Sequence, residues 1–223
     1  MPNHISNRVF FQSPNRDDDA ETSALKQLET MMKTEESSFD FNVLIPYPQQ
    51  YAEADKARLE AEKRGVKWGD LPKDGYNQGG YEWCHSNWGT KWNAYDITWD
   101  YDSVYFCTAW SSPEPIWEEL SKRFPDLILM VEYADEDTGH NCGILAYRNG
   151  TQTHAETDDD GLPNPVLFAR AIMAEQQCRY YAGRWQDANT QIAELEKQIS
   201  ELTAKLYPKA SEVDSRSDLA DDH

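Results

Sequence analysis

Positive charge is scarce in this chain: 40 Asp and Glu stand against 21 Lys and Arg, a formal net charge of -19 over 223 residues. A surface of that sign repels phosphate backbones and anionic membranes and draws basic partners, so neither direct nucleic-acid binding nor membrane attachment is expected. Long apolar runs are missing too, since no stretch approaches the ~18 residues of a membrane span. The opening MPNHISNRVFF lacks a basic segment followed by an apolar one, so the expectation is a cytoplasmic protein without a signal peptide. Cys84, Cys107, Cys142 and Cys178 include no C-x-x-C pair, which removes iron–sulfur spacing and leaves buried thiols as the simplest reading.

The common chemical motifs are missing as well. No G-x-x-x-x-G-K, G-x-G-x-x-G or G-x-S-x-G occurs. His4, His85, His140, His154 and His223 show no metal-ligand spacing. Asp135 to Gly139 begins like a calcium loop, but position twelve is Ala146 where a glutamate is needed. Cys84 and His85 are adjacent, and adjacent side chains point apart, so they do not pair as thiolate and base. The expectation is therefore no cofactor, no metal and no catalytic residue, in a binding protein rather than an enzyme.

What the chain does have is aromatic bulk and patterned secondary structure. Its 8 Trp, 12 Tyr and 7 Phe predict an aromatic-rich core. Residues 7–12 read as a strand. Asp17 to Asp19 then open a helix, with Ala24, Leu25, Leu28, Met31 and Met32 on its apolar face. FDFNVLIPYP at 39–48 reads as a short extended segment. A charged helix over 50–64 ends at Gly65, and with 65–80 it forms a surface insertion.

YEWCHSNWGTKW at 81–92 reads as a short helix or turn. In 94–102, Tyr95, Ile97, Trp99 and Tyr101 alternate with Asp96, Thr98, Asp100 and Asp102, and 103–110 returns beside it as a hairpin. Ser112-Pro113 starts a helix that buries Ile116, Trp117, Leu120 and Phe124; an apolar strand over 126–133 follows, then a hairpin over 141–156 turning at Asn149-Gly150. The order β-α-β-(insertion)-β-β-α-β-β-β contains the βαββαβ pattern of a ferredoxin-like sandwich. The fold class is thus α+β: an antiparallel sheet with helices on one face, an extra C-terminal hairpin, then a long helix.

This organisation gives a domain over 1–157 with its insertion at 50–80, a linker at 158–164, a helix over 165–207 and an acidic, disordered tail over 208–223. Ile192, Leu195, Ile199, Leu202 and Leu206 are spaced 3, 4, 3, 4, and Cys178, Tyr181 and Trp185 extend the seam backwards. A parallel coiled-coil homodimer is expected, with packing of the helix on its own domain as the alternative.

The blocks MPNHISNRVFF, FDFNVLIPYP, WCHSNWGTKWNAYD and FCTAWSSPEPIWEELSKRFPDL, with the closing hairpin carrying NCG and NG, resemble the YubB-type ferredoxin-like domain family. That resemblance spans roughly residues 1–156 and implies a bacteriophage or conjugative-plasmid setting in a bacterial cell. It implies no established activity.

Charge placement supplies the functional expectation. Between Ala94 and Asp160 stand 15 acids and 3 bases (Lys122, Arg123, Arg148). Asp96, Asp100, Asp102, Asp135, Glu136 and Asp137 are the candidate partner-binding carboxylates, either as a phosphate-mimicking face or as an ordinary solvated one. Trp88 and Trp92 are the candidate interface indoles, although core packing is the commoner fate of tryptophan. The leading expectation is an accessory protein of anti-defence, anti-CRISPR or antirestriction type. It would occlude the basic surface of a host nuclease or nucleic-acid-binding complex. The alternatives are a metal-dependent hydrolase using these acids and an oligomeric scaffold.

Overall fold

The computed structural model describes residues 3–206, apart from the side chains at 187–189, 191–192, 194–196 and 198–206. It divides into two compact units, Met1–Tyr180 and Tyr181–His223. The first holds a six-stranded antiparallel sheet in the order β2-β3-β1-β4-β5-β6. Its strands are β1 (His4–Gln12), β2 (Tyr95–Trp99), β3 (Val104–Ala109), β4 (Ile128–Asp135), β5 (Cys142–Arg148) and β6 (Thr151–Thr157). Read from β4, the first four strands run 4-1-3-2 with all neighbours antiparallel, which is the ferredoxin-like arrangement. The hairpin β5–β6 extends the sheet beyond β4 through a turn at Asn149 and Gly150, both in the left-handed region at φ 47° and 79°.

Helices α1 (Asp18–Met32) and α4 (Glu114–Arg123) bury one face of this sheet. Asp17 caps α1, its carboxylate accepting from Ala20 N at 3.1 Å, and Asp18, Asp19 and Glu21 sit in the first turn where the helix dipole favours them. Val9 and Phe11 of β1, Val104 and Phe106 of β3, Leu129 and Val131 of β4 and Leu145 and Tyr147 of β5 meet Leu25, Leu28, Ile116, Trp117 and Leu120 there. The core is aromatic as expected: Phe39 stacks on Phe106 at 4.7 Å, and Phe11 lies 4.6 Å from Phe124.

Two local expectations are corrected, over 39–48 and over 94–102. Residues 39–48 are not extended: Phe41–Val43 form a single 3-10 turn. Its backbone is satisfied by side chains rather than by a neighbouring strand, Asn42 N donating to Asp40 Oδ1 (2.9 Å) and Phe41 N to Asn93 Oδ1 (3.0 Å). The insertion is held at its base. There Tyr76 N donates to Asp55 Oδ1 of α2 (Gln49–Lys63) at 2.9 Å, and a Cβ on Gly75 would stand 2.2 Å from Tyr51 O, so only glycine fits that crossing. Finally, the strict alternation over 94–102 breaks at Asp96 (φ 52°). Tyr95 pairs with Cys107 while Thr98 pairs with Tyr105, so an odd and an even residue share one face and Asp96, Asp100 and Asp102 form no row.

The segment read as a linker is packed. Thr157 N donates to Asp160 O at 2.7 Å, the Asp158 carboxylate accepts from Asn141 N and Cys142 N, and Leu162 is buried. From there α5 (Pro165–Leu206) begins, and its first turns lie on the sheet's second face, where Ala169 and Ile172 meet Ala134 and Cys142. The first compact unit therefore extends past residue 157 to Tyr180. In the second unit the helix continues to Leu206, with Trp185 largely exposed. The dimerisation seam of Ile192, Leu195, Ile199, Leu202 and Leu206 lies outside the described side chains.

Burial fixes how the core responds to base. Cys84 is pushed up to about 12, and Cys107 and Cys142 to about 11, from an ordinary 9.0, in each case chiefly by desolvation. Tyr76 and Tyr133 rise to about 12 from 10.0 for the same reason. Above about pH 9 the unfolded chain loses these protons while the folded chain keeps them, so stability falls as pH rises from about 9 toward 12. Melting temperature measured from neutral pH upward should hold to about pH 9 and then decline. A constant value through about pH 11 would contradict this burial.

Candidate functional site

The candidate carboxylates separate into two groups. Asp100 Oδ2 is 2.7 Å from Arg179 Nη1 of α5, and Asp102 accepts from Ser103 Oγ and lies 3.9 Å from Arg8 Nη2. Arg8 also meets Glu132 at 3.2 Å and Glu175 at 4.0 Å, so this end of β2 belongs to a network that fastens α5 to the sheet. Asp135 is buried at 5 % exposure, and its oxygens accept from Asn3 Nδ2 (3.1 Å), Asp137 N (2.9 Å) and Asn141 Nδ2 (3.0 Å). Its carboxylate orders the loop after β4 instead of facing solvent. The expectation of six carboxylates in one open array is corrected accordingly, because Asp100 and Asp102 stand at the Arg8–Arg179 network past the far end of β2 and Asp135 is buried.

Asp96, Asp102, Glu136 and Asp137 are exposed, but Asp102 lies past the far end of β2, away from the other three. Burial pushes up the Tyr95 hydroxyl and the Cys107 thiol, the Asp96 and Glu136 charges add to it in both cases, and Gln176 opposes it at Cys107. Glu136 Oε1 accepts from His4 N at 3.1 Å, and the His4 ring sits edge-on to Tyr95 at 5.7 Å. These residues lie at one end of the sheet, where β1 starts, β3 and β4 finish and β2 begins.

The tryptophans divide as well. Trp88, offered as an interface residue, is core: it is 3 % exposed, donates from Nε1 to Ile45 O at 2.8 Å and packs edge-on to Phe41 and Trp83. The residue α3 (Gly80–Asn87) and the following turn leave near the surface is Trp92, half-buried and 6.5 Å from the Tyr95 ring.

Sequence reasoning weighed Trp110 with the other tryptophans as a possible platform and favoured core packing, whereas its indole is exposed. Trp110 follows β3 with φ 75°, a left-handed conformation that bulky side chains rarely adopt. Two bonds hold it there, Trp110 N donating to Asn3 O (3.0 Å) and Asn141 Nδ2 donating to Trp110 O (2.9 Å). The indole is thereby turned outward to 39 % exposure, edge-on to Tyr81 at 6.0 Å. The strand pattern through Ala109 gave no sign of the reversal. The only hint was the Asn141-Cys142-Gly143 triplet, whose asparagine (φ 45°) supplies the clamp.

This end of the sheet thus combines exposed carboxylates with aromatic faces, both of which attract cations. Among the described residues no group of three or more His, Cys, Asp or Glu is placed to hold a metal ion. No described helix is long and apolar enough to cross a membrane.

Residues 87–163 match the family model described as the ferredoxin-like domain in Api92-like protein. No curated protein matches the chain. Among solved structures, the crystal structure of the protein api92 from Yersinia pseudotuberculosis is similar over 73 % of this chain and 99 % of that one, at 10 % identity and a TM-score of 0.36. Over 87–163, from the last turn of α3 through β6 to the turn before α5, this chain is similar to the ferredoxin-like domain of Api92-like proteins.

Proposed function

We propose that this chain is a binding protein that meets a basic partner, and that the contact centres on the end of the sheet carrying Asp96, Glu136, Asp137, Trp92 and Trp110. The observation that carries the reading is the left-handed Trp110. Strained backbone persists where the surroundings hold it, and here it turns an indole outward at the end of the sheet that also carries the exposed Asp96, Glu136 and Asp137. Aromatic side chains of this kind supply much of the energy at protein interfaces, while surrounding charge sets partner choice and encounter rate. The formal charge of -19 adds long-range steering toward cationic surfaces.

A nuclease or other nucleic-acid-handling protein fits as the partner, because its phosphate groove is a concentrated basic surface. The resemblance to a YubB-type family of mobile elements favours a host defence component, blocked by occlusion of that groove. In this reading no bond is made or broken.

The test is affinity capture from bacterial lysate with the whole chain and with an Asp96→Asn, Glu136→Gln, Asp137→Asn variant. The expected result is a basic nucleic-acid-handling protein that the parent retains at about 0.05 M salt, loses in large part at about 0.5 M, and that the variant recovers poorly. Equal recovery by parent and variant would remove this surface from the account.

A further inference from the structure

Lys91 stands out in so acidic a chain. Its Nζ lies 4.8 Å from the Trp92 ring centroid and 4.4 Å from that of Trp110, so one ammonium is shared between two indole faces. No carboxylate lies within ion-pairing distance of it among the described residues. Tyr81 stands edge-on to Trp110 at 6.0 Å. Backbone bonds fix the frame: Lys91 N donates to Ala109 O (3.4 Å) and Tyr76 Oη donates to Lys91 O (3.4 Å), while Asn3 and Asn141 pin Trp110.

We infer that Trp92 and Trp110 form an aromatic subsite for an ammonium or guanidinium group, and that Lys91 is its internal occupant, displaced when a partner's cationic side chain enters. Aromatic rings on two sides of a cation are the chemistry that recognises methylated ammonium and arginine. The Lys91 stem is long and flexible, so its head group can leave for water while its backbone stays in place. The site is therefore stable when unbound and opens at small cost. An exposed cation–π contact is worth about 0.5–1 kcal/mol, which makes Lys91 a weak competitor rather than a lock. This inference rests on the basic-partner reading and names the group that partner inserts.

The probe is tetramethylammonium chloride, titrated into the whole chain while the indole Nε1–H resonances are followed by NMR, with sodium chloride at matched ionic strength as the control. Saturable shifts confined to Trp92 and Trp110 are expected. Lys91→Met should tighten the binding about 2- to 5-fold, the equivalent of about 0.5–1 kcal/mol, because the competitor is gone. Trp110→Gly suits the positive φ and should keep the fold, which thermal melting checks, while abolishing the shifts. Shifts reproduced by sodium chloride, an unchanged or weaker affinity in Lys91→Met, or binding that survives Trp110→Gly would each overturn the subsite. Partner capture that persists without tetramethylammonium binding would sink the subsite alone. Tetramethylammonium binding without any capture would sink the basic-partner reading.

Discussion

Trp117→Ala should cost this domain about 3–5 kcal/mol of unfolding free energy, a large share of the ordinary total of about 5–15 kcal/mol. Trp117 is fully buried on α4 and packs against Phe106 at 5.8 Å. Its removal opens a cavity under the middle of the sheet, and it also breaks a buried polar chain. Trp117 Nε1 donates to Ser112 Oγ (3.0 Å), Ser112 Oγ donates to Asn7 Oδ1 (2.9 Å), and Asn7 Nδ2 donates to Thr108 Oγ1 (2.9 Å). Asn7, Thr108 and Ser112 are all buried, so water does not replace a lost partner there. Trp117→Phe restores most of the volume without the donor and should fall between parent and alanine. Urea unfolding followed by circular dichroism checks the order. Equal midpoints for the phenylalanine variant and the parent would mean that the indole N–H contributes nothing.

Arg8→Met comes next in size. The Arg8 side chain is 23 % exposed and Glu132 19 %, so the pair is largely withdrawn from water but not sealed. Breaking a fully buried pair costs about 3–5 kcal/mol; partial exposure lets solvent screen the orphaned carboxylates, and about 1–3 kcal/mol is expected here. The loss should concentrate on α5. Glu175 meets Arg8 at 4.0 Å and accepts from Tyr105 Oη at 3.3 Å, Gln176 Nε2 contacts Cys107 Sγ at 3.0 Å, and Arg179 meets Asp100. Arg8 Nε and Gln176 Oε1 are buried without partners in this interface, which marks it as less than fully satisfied. Amide exchange over 165–180 should therefore rise in Arg8→Met before exchange in β1 or β4 does. Unchanged exchange over that stretch would show that the apolar contacts of Ala169 and Ile172 hold the helix by themselves.

The same residues show how far sequence reading reaches. Periodicity located α1, α4 and the strands because Leu25, Leu28, Ile116, Trp117 and Leu120 recur at helical spacing, while 126–133 is too apolar to sit anywhere but inside a sheet. The Asn149-Gly150 turn was legible because few residues tolerate two successive positive φ angles. The Phe39–Phe41 segment misled because two buried aromatics at spacing 2 look like a strand, whereas Asp40 and Asn93 side chains supply the bonds a strand would take from a neighbour. The carboxylate array misled for a related reason. Alternation assumes an unbroken pleat, and the bulge at Asp96 ends it.

The start of α5 also carries two signals that overlap. Phe168, Ala169, Ile172 and Met173 dock on the sheet, while the later heptad spacing belongs to residues beyond Tyr180. Composition alone merges them into one helix with one purpose. Trp110 was beyond reach because its position depends on Asn3 and Asn141, which are 107 residues before it and 31 after it in the chain.

Hydrogen exchange of the whole chain, with and without the partner it captures, is the most direct measurement of where binding occurs. Protection should appear together in three separated stretches, around Lys91 to Ile97, around Trp110, and from Glu136 to Asn141. Protection confined to α1, α2 or β6, with those three stretches unchanged, would place the contact elsewhere and contradict the assignment of this end of the sheet.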